Sequence, residues 1–289
     1  MTSLRRILLA TDLEPKSDRA MERSVQLARQ FGAELTALHV VHDRGGPYAH
    51  LPLHHIEAEL HRLLVAVPGA AGLPIRAVAV QGAAVEPQVA GYAGLWRPDL
   101  VVTGVHARDH LADLFLPPTV ERIAIANETP VLIVRDKPQG PYGRALVPVD
   151  FSERSRAAVE GARRLLDGGS VHLLHVLDLP LAARSPMGLS DPTDATGEFA
   201  DEFAELLAGT AADGPAVTRP AVTREVRIGH PVAEIVRTAR HGRYDLVVMG
   251  SARRDGLMRT LLGSVTQDVL ADLPCDALLA GDPDETGRP

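Results

Sequence analysis

Apolar residues in this chain gather into short blocks separated by longer stretches in which hydrophobes recur at helical spacing. Runs such as Ile7-Leu8-Leu9-Ala10, Leu100-Val101-Val102 and Leu246-Val247-Val248-Met249 are nearly continuous rather than alternating. That suits strands covered on both faces, as parallel strands are. The first half predicts strands near 5–11, 34–41, 75–81, 99–104 and 130–135, with helices near 17–31, 53–66, 85–96 and 119–127 between them. The second half predicts strands near 144–149, 170–177, 222–228, 245–250 and 276–280, with helices near 153–167, 196–210, 231–241 and 264–272. Strand–helix alternation with short connections gives an α/β fold: two tandem doubly wound, five-stranded parallel sheets.

The two halves also match each other residue by residue. Arg6-Ile7-Leu8-Leu9-Ala10-Thr11-Asp12 corresponds to Arg144-Ala145-Leu146-Val147-Pro148-Val149-Asp150, each an apolar run ending in Asp. Leu38-His39-Val40 corresponds to Leu174-His175-Val176, and Asp99-Leu100-Val101-Val102-Thr103-Gly104 to Asp245-Leu246-Val247-Val248-Met249-Gly250. Thr129-Pro130-Val131 corresponds to Leu273-Pro274-Cys275. The offsets, 138, 136, 146 and 144 residues, keep the same order and nearly the same length. Such self-similarity is the mark of a duplicated unit. The Pro/Gly stretch Asp136-Lys137-Pro138-Gln139-Gly140-Pro141-Tyr142 separates domains at 1–136 and 143–284.

Composition narrows the class. Aromatic residues make up 3% of 289, so Leu, Val, Ala and Ile fill the cores. A formal net charge of −7 argues against nucleic-acid partners and anionic membranes. No uncharged apolar run reaches the roughly 18–20 residues that span a bilayer. The strand-like start after Arg5-Arg6 carries no secretory pattern, so a soluble cytoplasmic protein is expected. The lone Cys275 excludes an internal disulfide and a cysteine zinc site, and is expected in a buried strand.

Open α/β sheets bind ligands outside the carboxyl ends of their strands, where strand order reverses. With the order 3-2-1-4-5, the second half places Asp150 and Gly250 there. After Gly250 comes the Arg-rich Ser251–Leu262, then Gly263-Ser264-Val265-Thr266 opens a helix. Free N–H groups and the positive end of a helix dipole favour a phosphate at that point. Read alone, Gly-Ser better describes an ordinary capped helix.

The repeat, the strand-end Asp and this loop resemble the universal stress protein family. Its ATP-binding members are characterised by Gly, two residues, Gly, nine residues, then Gly-Ser or Gly-Thr. Gly250, Gly263 and Ser264 stand at that spacing, with Arg253 in place of the second glycine. An arginine there either strains the backbone or reaches the phosphates itself. Gly229-His230-Pro231-Val232 is also similar to the family. The resemblance implies an adenine nucleotide α-hydrolase-like fold and ATP, or a related adenine nucleotide, in the second domain. The implied binding set is Pro148, Val149, Asp150, Val176, Gly250, Arg253, Gly263, Ser264, Val265 and Thr266. Asp150 would lie near the adenosine and Val176 would wall the base. It further implies pairing of the two domains through their last strands, with homodimerisation open, and a regulator or adaptor in stress responses. A scaffold without nucleotide, or a weak ATPase, are the competing readings.

The first half lacks the phosphate loop. Ala107 stands at the second glycine position and Pro117-Pro118 replace Gly-Ser, removing two N–H donors. Asp12 then reads as a cap or turn residue. His50, His54, His55 and His61, with His39 and His42 upstream, have some metal-ligand spacings but read as a solvated helix face. Pro180–Asp194 reads as a surface excursion near the second crevice. No Gly-x-x-x-x-Gly-Lys-Ser/Thr loop, Gly-x-Ser-x-Gly elbow, synthetase Ser-Gly-Gly-x-Asp-Ser loop or His-x-Gly-His occurs, and rapid ATP hydrolysis is not expected.

Overall fold

The computed structural model describes residues 4–42, 48–105, 123, 129–166, 168–178, 196–208, 210, 220–250 and 263–281. The chain forms two compact units, residues 2–141 and 142–289. In the first, β1 (Arg6–Ala10), β2 (Glu34–His42), β3 (Ile75–Gly82), β4 (Leu100–Gly104) and β5 (Val131–Val134) lie in the order β3-β2-β1-β4-β5. All these pairings are parallel. Helices α1 (Asp18–Phe31), α2 (Leu53–Ala66) and α3 (Val85–Trp96) connect them. The helix expected near 119–127 falls, apart from Ile123, outside the described residues.

The second unit repeats the plan. β6 (Arg144–Val149), β7 (Ser170–Leu177), β8 (Ala221–Ile228), β9 (Leu246–Gly250) and β10 (Asp276–Ala280) run parallel in the order β8-β7-β6-β9-β10. Its helices are α4 (Glu153–Leu165), α5 (Ala200–Ala208), α6 (Pro231–Gly242) and α7 (Ser264–Asp272). The continuous apolar runs are buried throughout: Ile7, Leu8 and Leu9 on β1, Ala145, Leu146 and Val147 on β6, and Leu246, Val247 and Val248 on β9. Each such large side chain contributes roughly 1.5–3 kcal/mol, so the central strands carry most of the cohesion.

Local polar devices recur with the fold. Asp99 Oδ2 accepts the N–H groups of Arg5 and Arg6 at 2.8 and 3.0 Å. Asp245 likewise accepts those of Gly143 and Arg144 at 2.8 and 3.0 Å. Each carboxylate pins the entry of a unit's first strand to the entry of its fourth, which fixes their register. Arg6 lies over the Trp96 ring at 5.8 Å, and Arg144 over Tyr244 at 5.1 Å. Helices α3 and α6 both end on an arginine in the left-handed region, Arg97 (φ 51°) and Arg243 (φ 50°). Tyr142 and Asp276 make a buried hydrogen bond of 2.6 Å. Cys275 is buried, but it stands one residue before β10 rather than within it.

The turn into β7 supplies a direct test of the backbone argument. Gly168 (φ 78°) and Gly169 (φ 74°) are both left-handed, but a Cβ on Gly169 would sit 2.2 Å from the Gly143 carbonyl oxygen, whereas Gly168 faces open space. Gly168→Ala is expected to cost about 1 kcal/mol from backbone strain. Gly169→Ala is expected to cost at least about 2 kcal/mol, because backbone must also move. Denaturant unfolding measures both, and equal losses would contradict the packing described.

Candidate functional site

Strand order reverses at β6, which pairs with β7 on one side and β9 on the other. Asp150 and Gly250 therefore meet at the carboxyl ends, as expected. The Asp150 carboxylate is held by its own turn. Its Oδ1 accepts the Ser152 N–H (3.1 Å), the Ser152 hydroxyl (2.5 Å) and the Ser155 hydroxyl (2.6 Å). Burial pushes the carboxyl up, but the hydrogen bonds from Ser152 and Ser155 outweigh it and hold Asp150 below the usual carboxylate range. Asp150 is nevertheless exposed, and Oδ2 makes no hydrogen bond among the described residues.

Phe151, the next residue, adopts φ 62°, a conformation a bulky side chain seldom takes. The strain is stabilised by packing. Phe151 stacks on Phe199 (centroids 5.8 Å, planes 4° apart) and meets Phe203 edge-on at 5.1 Å and His175 at 4.7 Å. His175 Nδ1 shares a 2.8 Å hydrogen bond with the Val149 carbonyl, tying β7 to the end of β6. Val176, the expected wall of the base, is half-buried on β7 one residue after His175, and Pro148 and Val149 complete the end of β6.

The first unit reproduces the turn with differences in packing and exposure. Asp12 Oδ1 accepts the Glu14 N–H (3.0 Å) and the Ser17 hydroxyl (2.5 Å), and Leu13 has φ 62°. His39 Nδ1 shares a hydrogen bond with the Thr11 carbonyl at 2.9 Å. Leu13 and Tyr48 pack there on Val41, Ile56 and Ala79, replacing the aromatic cluster. Asp12 Oδ2, however, is buried, whereas Asp150 is open to solvent. Asp12 is thus the turn residue its sequence suggests. The paired histidines were not assigned a role from sequence. Their signal was the Leu-His-Val match, which marks the same strand-end bond in both halves.

Helix α7 begins where the Gly-Ser pair predicts. Gly263 is its N-cap at φ −55°, with no side-chain cap, and its carbonyl takes the Gln267 N–H at 3.1 Å. The N–H groups of Ser264, Val265 and Thr266 are left without helical partners. Gly263, Ser264 and Val265 are exposed and Thr266 half-buried. A Cβ on Gly263 would meet nothing within 4 Å. The fold does not require glycine there, and a serine would cap the helix better. Gly250 is different. A Cβ there would lie 2.6 Å from Arg154 Cβ and from the Arg154 carbonyl oxygen, so glycine is needed for α4 to pack on β9. Arg253, the Pro117-Pro118 pair, Ala107 and the 180–194 excursion all lie outside the described residues.

The Gly229-His230-Pro231 turn is also explained sterically. Glu234 folds back so that a Cβ on Gly229 would meet its Cγ at 2.8 Å, and Pro231 starts α6. Glu234 ends a file of polar and charged side chains that starts at His172. His172 Nε2 contacts Glu225 at 3.0 Å, Glu225 contacts Arg227 at 2.6 Å, and Arg227 reaches Glu234 at 3.6 Å, which also binds Arg237. On the other unit, His54, His55 and His61 are exposed on α2, while His50 lies in the turn before it, so His50 and His54 do not share a helical face. Among the described residues no group of three or more His, Cys, Asp or Glu is placed to hold a metal.

Two outcomes follow. Gly263→Ser is expected to leave thermal stability unchanged or raised, while Gly250→Ala lowers it by about 1–3 kcal/mol through overpacking; calorimetry of the two variants checks this, and equal losses would contradict it. Burial pushes His39 below 6.5, despite its bond to the Thr11 carbonyl and the nearby Asp12 charge. The unfolded chain then binds more protons, so this histidine's contribution to stability is complete above about pH 6.5 and is lost as pH falls toward the folded value. An NMR titration should place the His39 midpoint below 6.5, and a midpoint at or above it would refute the assignment.

Comparison with known proteins agrees with this duplicated geometry. The universal stress protein family model matches residues 3–135 and again 141–280. Universal stress protein MJ0577 of Methanocaldococcus jannaschii is 27% identical over 143 residues, 45% of this chain and 88% of that protein. Universal stress protein E of Salmonella typhi is 28% identical over 202 residues, 66% of this chain and 63% of that protein, an alignment longer than one repeat. The crystal structure of a universal stress protein from Archaeoglobus fulgidus covers 97% of both chains with a TM-score of 0.66 at 18% identity, which shows the shared fold. No helix among the described residues is long and apolar enough to cross a membrane. With both halves matched, the chain belongs to the universal stress protein family, as a tandem of two of its domains.

Proposed function

We propose that the second unit binds ATP or a related adenine nucleotide, and that the protein acts as a nucleotide-dependent regulator or adaptor in a stress response. The observation that carries this reading is the start of α7. Gly263 carries no side-chain cap and leaves the N–H groups of Ser264, Val265 and Thr266 without helical partners, at the carboxyl end of the sheet where Asp150 is exposed. Anions are stabilised at such helix starts by the free donors and the dipole together. Gly250, Gly263 and Ser264 keep the family's ATP-binding spacing, and Arg253 supplies a cation within it. Asp150 would accept a hydrogen bond from the nucleoside, beside the base wall of Val176.

The two units differ in the features that bear on this. Asp12 turns its second oxygen inward, and the first unit's loop has Pro117-Pro118 where the second has Gly263-Ser264. The proposed site is therefore single, in the domain at 143–284. No base for an attacking water is assigned, so the role is binding rather than turnover. The net charge of −7 fits partners other than nucleic acid.

Equilibrium binding of labelled ATP to the full chain tests the reading. One saturable site is expected. Gly263→Ser and Asp150→Ala should each weaken binding at least tenfold, about 1.4 kcal/mol. Binding unaffected by both substitutions would reject the site. A protein that takes up no adenine nucleotide would be a scaffold, and phosphate release above background would make it a weak ATPase.

A further inference from the structure

We infer that Ser155 is a positioning residue, which holds the Asp150 carboxylate so that a single oxygen faces the crevice as a hydrogen-bond acceptor. This rests on the nucleotide reading for the identity of the ligand, but not for the geometry. Ser155 is buried in the first turn of α4. Its hydroxyl accepts the Asp150 N–H at 2.9 Å and donates to Asp150 Oδ1 at 2.6 Å. One hydroxyl thus bridges backbone and side chain of the same residue, using its only proton on the carboxylate. Ser152 adds its N–H and hydroxyl to the same oxygen. Rotation of the carboxylate would break three bonds, so Oδ2 is held outward.

The consequence is chemical. An ionised carboxylate only accepts, so the group it meets must donate: a hydroxyl of a sugar or an amino group of a base. Among the described residues Asp150 takes part in no ion pair. α4 brings Glu153 and Arg154 in sequence next to Ser152 and Ser155, β7 brings His175, bonded to the Val149 carbonyl, and β9 ends in the uncharged Gly250. Among the described residues, the hydrogen bonds from Ser152 and Ser155 hold the Asp150 carboxyl below its usual range against the effect of burial. Ser17 holds Asp12 by the same means at 2.5 Å, but there the other oxygen is buried, so the device is retained without an exposed acceptor.

The test uses the full chain as wild type, Ser155→Ala and Ser155→Thr. Carbon-detected NMR follows the Asp150 carboxyl without ligand, and ATP binding is measured from about pH 2 to 7, which reaches below the usual carboxylate range. In Ser155→Ala the carboxyl midpoint should rise, the acid limb of ATP binding should move up with it, and ATP affinity at pH 7 should fall about tenfold. Ser155→Thr, which keeps the hydroxyl, should restore all three. An unmoved midpoint, or a binding profile identical to wild type, overturns the assignment. If Ser155→Ala does not fold, Ser152→Ala removes the other hydroxyl donor to the same oxygen, from a half-buried position, and an unmoved midpoint there overturns the claim that these hydroxyls hold the carboxylate. A wild type that binds no ATP defeats the nucleotide reading, while the carboxyl titration still decides the role of Ser155.

Discussion

The turn that follows the first strand of each unit is the constraint on which the site depends. A carboxylate at the strand end is bonded to its own downstream residues, the next residue is forced to φ 62°, and a histidine from the neighbouring strand bonds the carbonyl just before the carboxylate. A left-handed Phe or Leu costs on the order of 1–3 kcal/mol, and it persists only where surrounding packing over-determines it. Phe151 has Phe199, Phe203 and His175 around it, and Leu13 packs with Tyr48 on a small aliphatic cluster. The chain therefore leaves β1 and β6 in one fixed direction. That direction places α1 and α4, and with them the walls of the crevice.

Duplication lets each unit serve as a control for the other. The clamps at Asp99 and Asp245, the left-handed arginines at Arg97 and Arg243, and the histidine bonds occur in both, so they belong to the fold rather than to a ligand. What distinguishes the second unit, among the described residues, is an exposed Asp150 where Asp12 turns one carboxylate oxygen inward. Folding alone would not favour it, because an exposed carboxylate held rigid contributes little to stability.

The fold was legible because strands covered on both faces must be continuously apolar, and the repeat supplied a second copy of each run. Strand and helix boundaries read from the sequence lie within about two residues of the structure for the described elements; the helix expected from 196 is helical at 196–198 and, after a turn at Phe199, again over Ala200–Ala208. The candidate site was legible in part. Spacing identified Gly250 and Gly263 together but could not separate their roles. One is a packing glycine against Arg154, the other has no steric reason to be glycine. The serines that hold Asp150 were visible only as a helix start, because a hydroxyl's partner depends on a turn geometry that no local pattern encodes. His175 was hidden for the same reason, its partner lying 26 residues away across the sheet.

Amide hydrogen exchange with and without ATP tests the central claim most directly, because it reports the donors themselves. The account predicts slower exchange at Ser264, Val265 and Thr266 in the presence of ATP, with the Asp150–Ser152 turn protected alongside and the turn at Asp12 unchanged. Exchange at the start of α7 that is indifferent to ATP, or protection confined to the first unit, would contradict it.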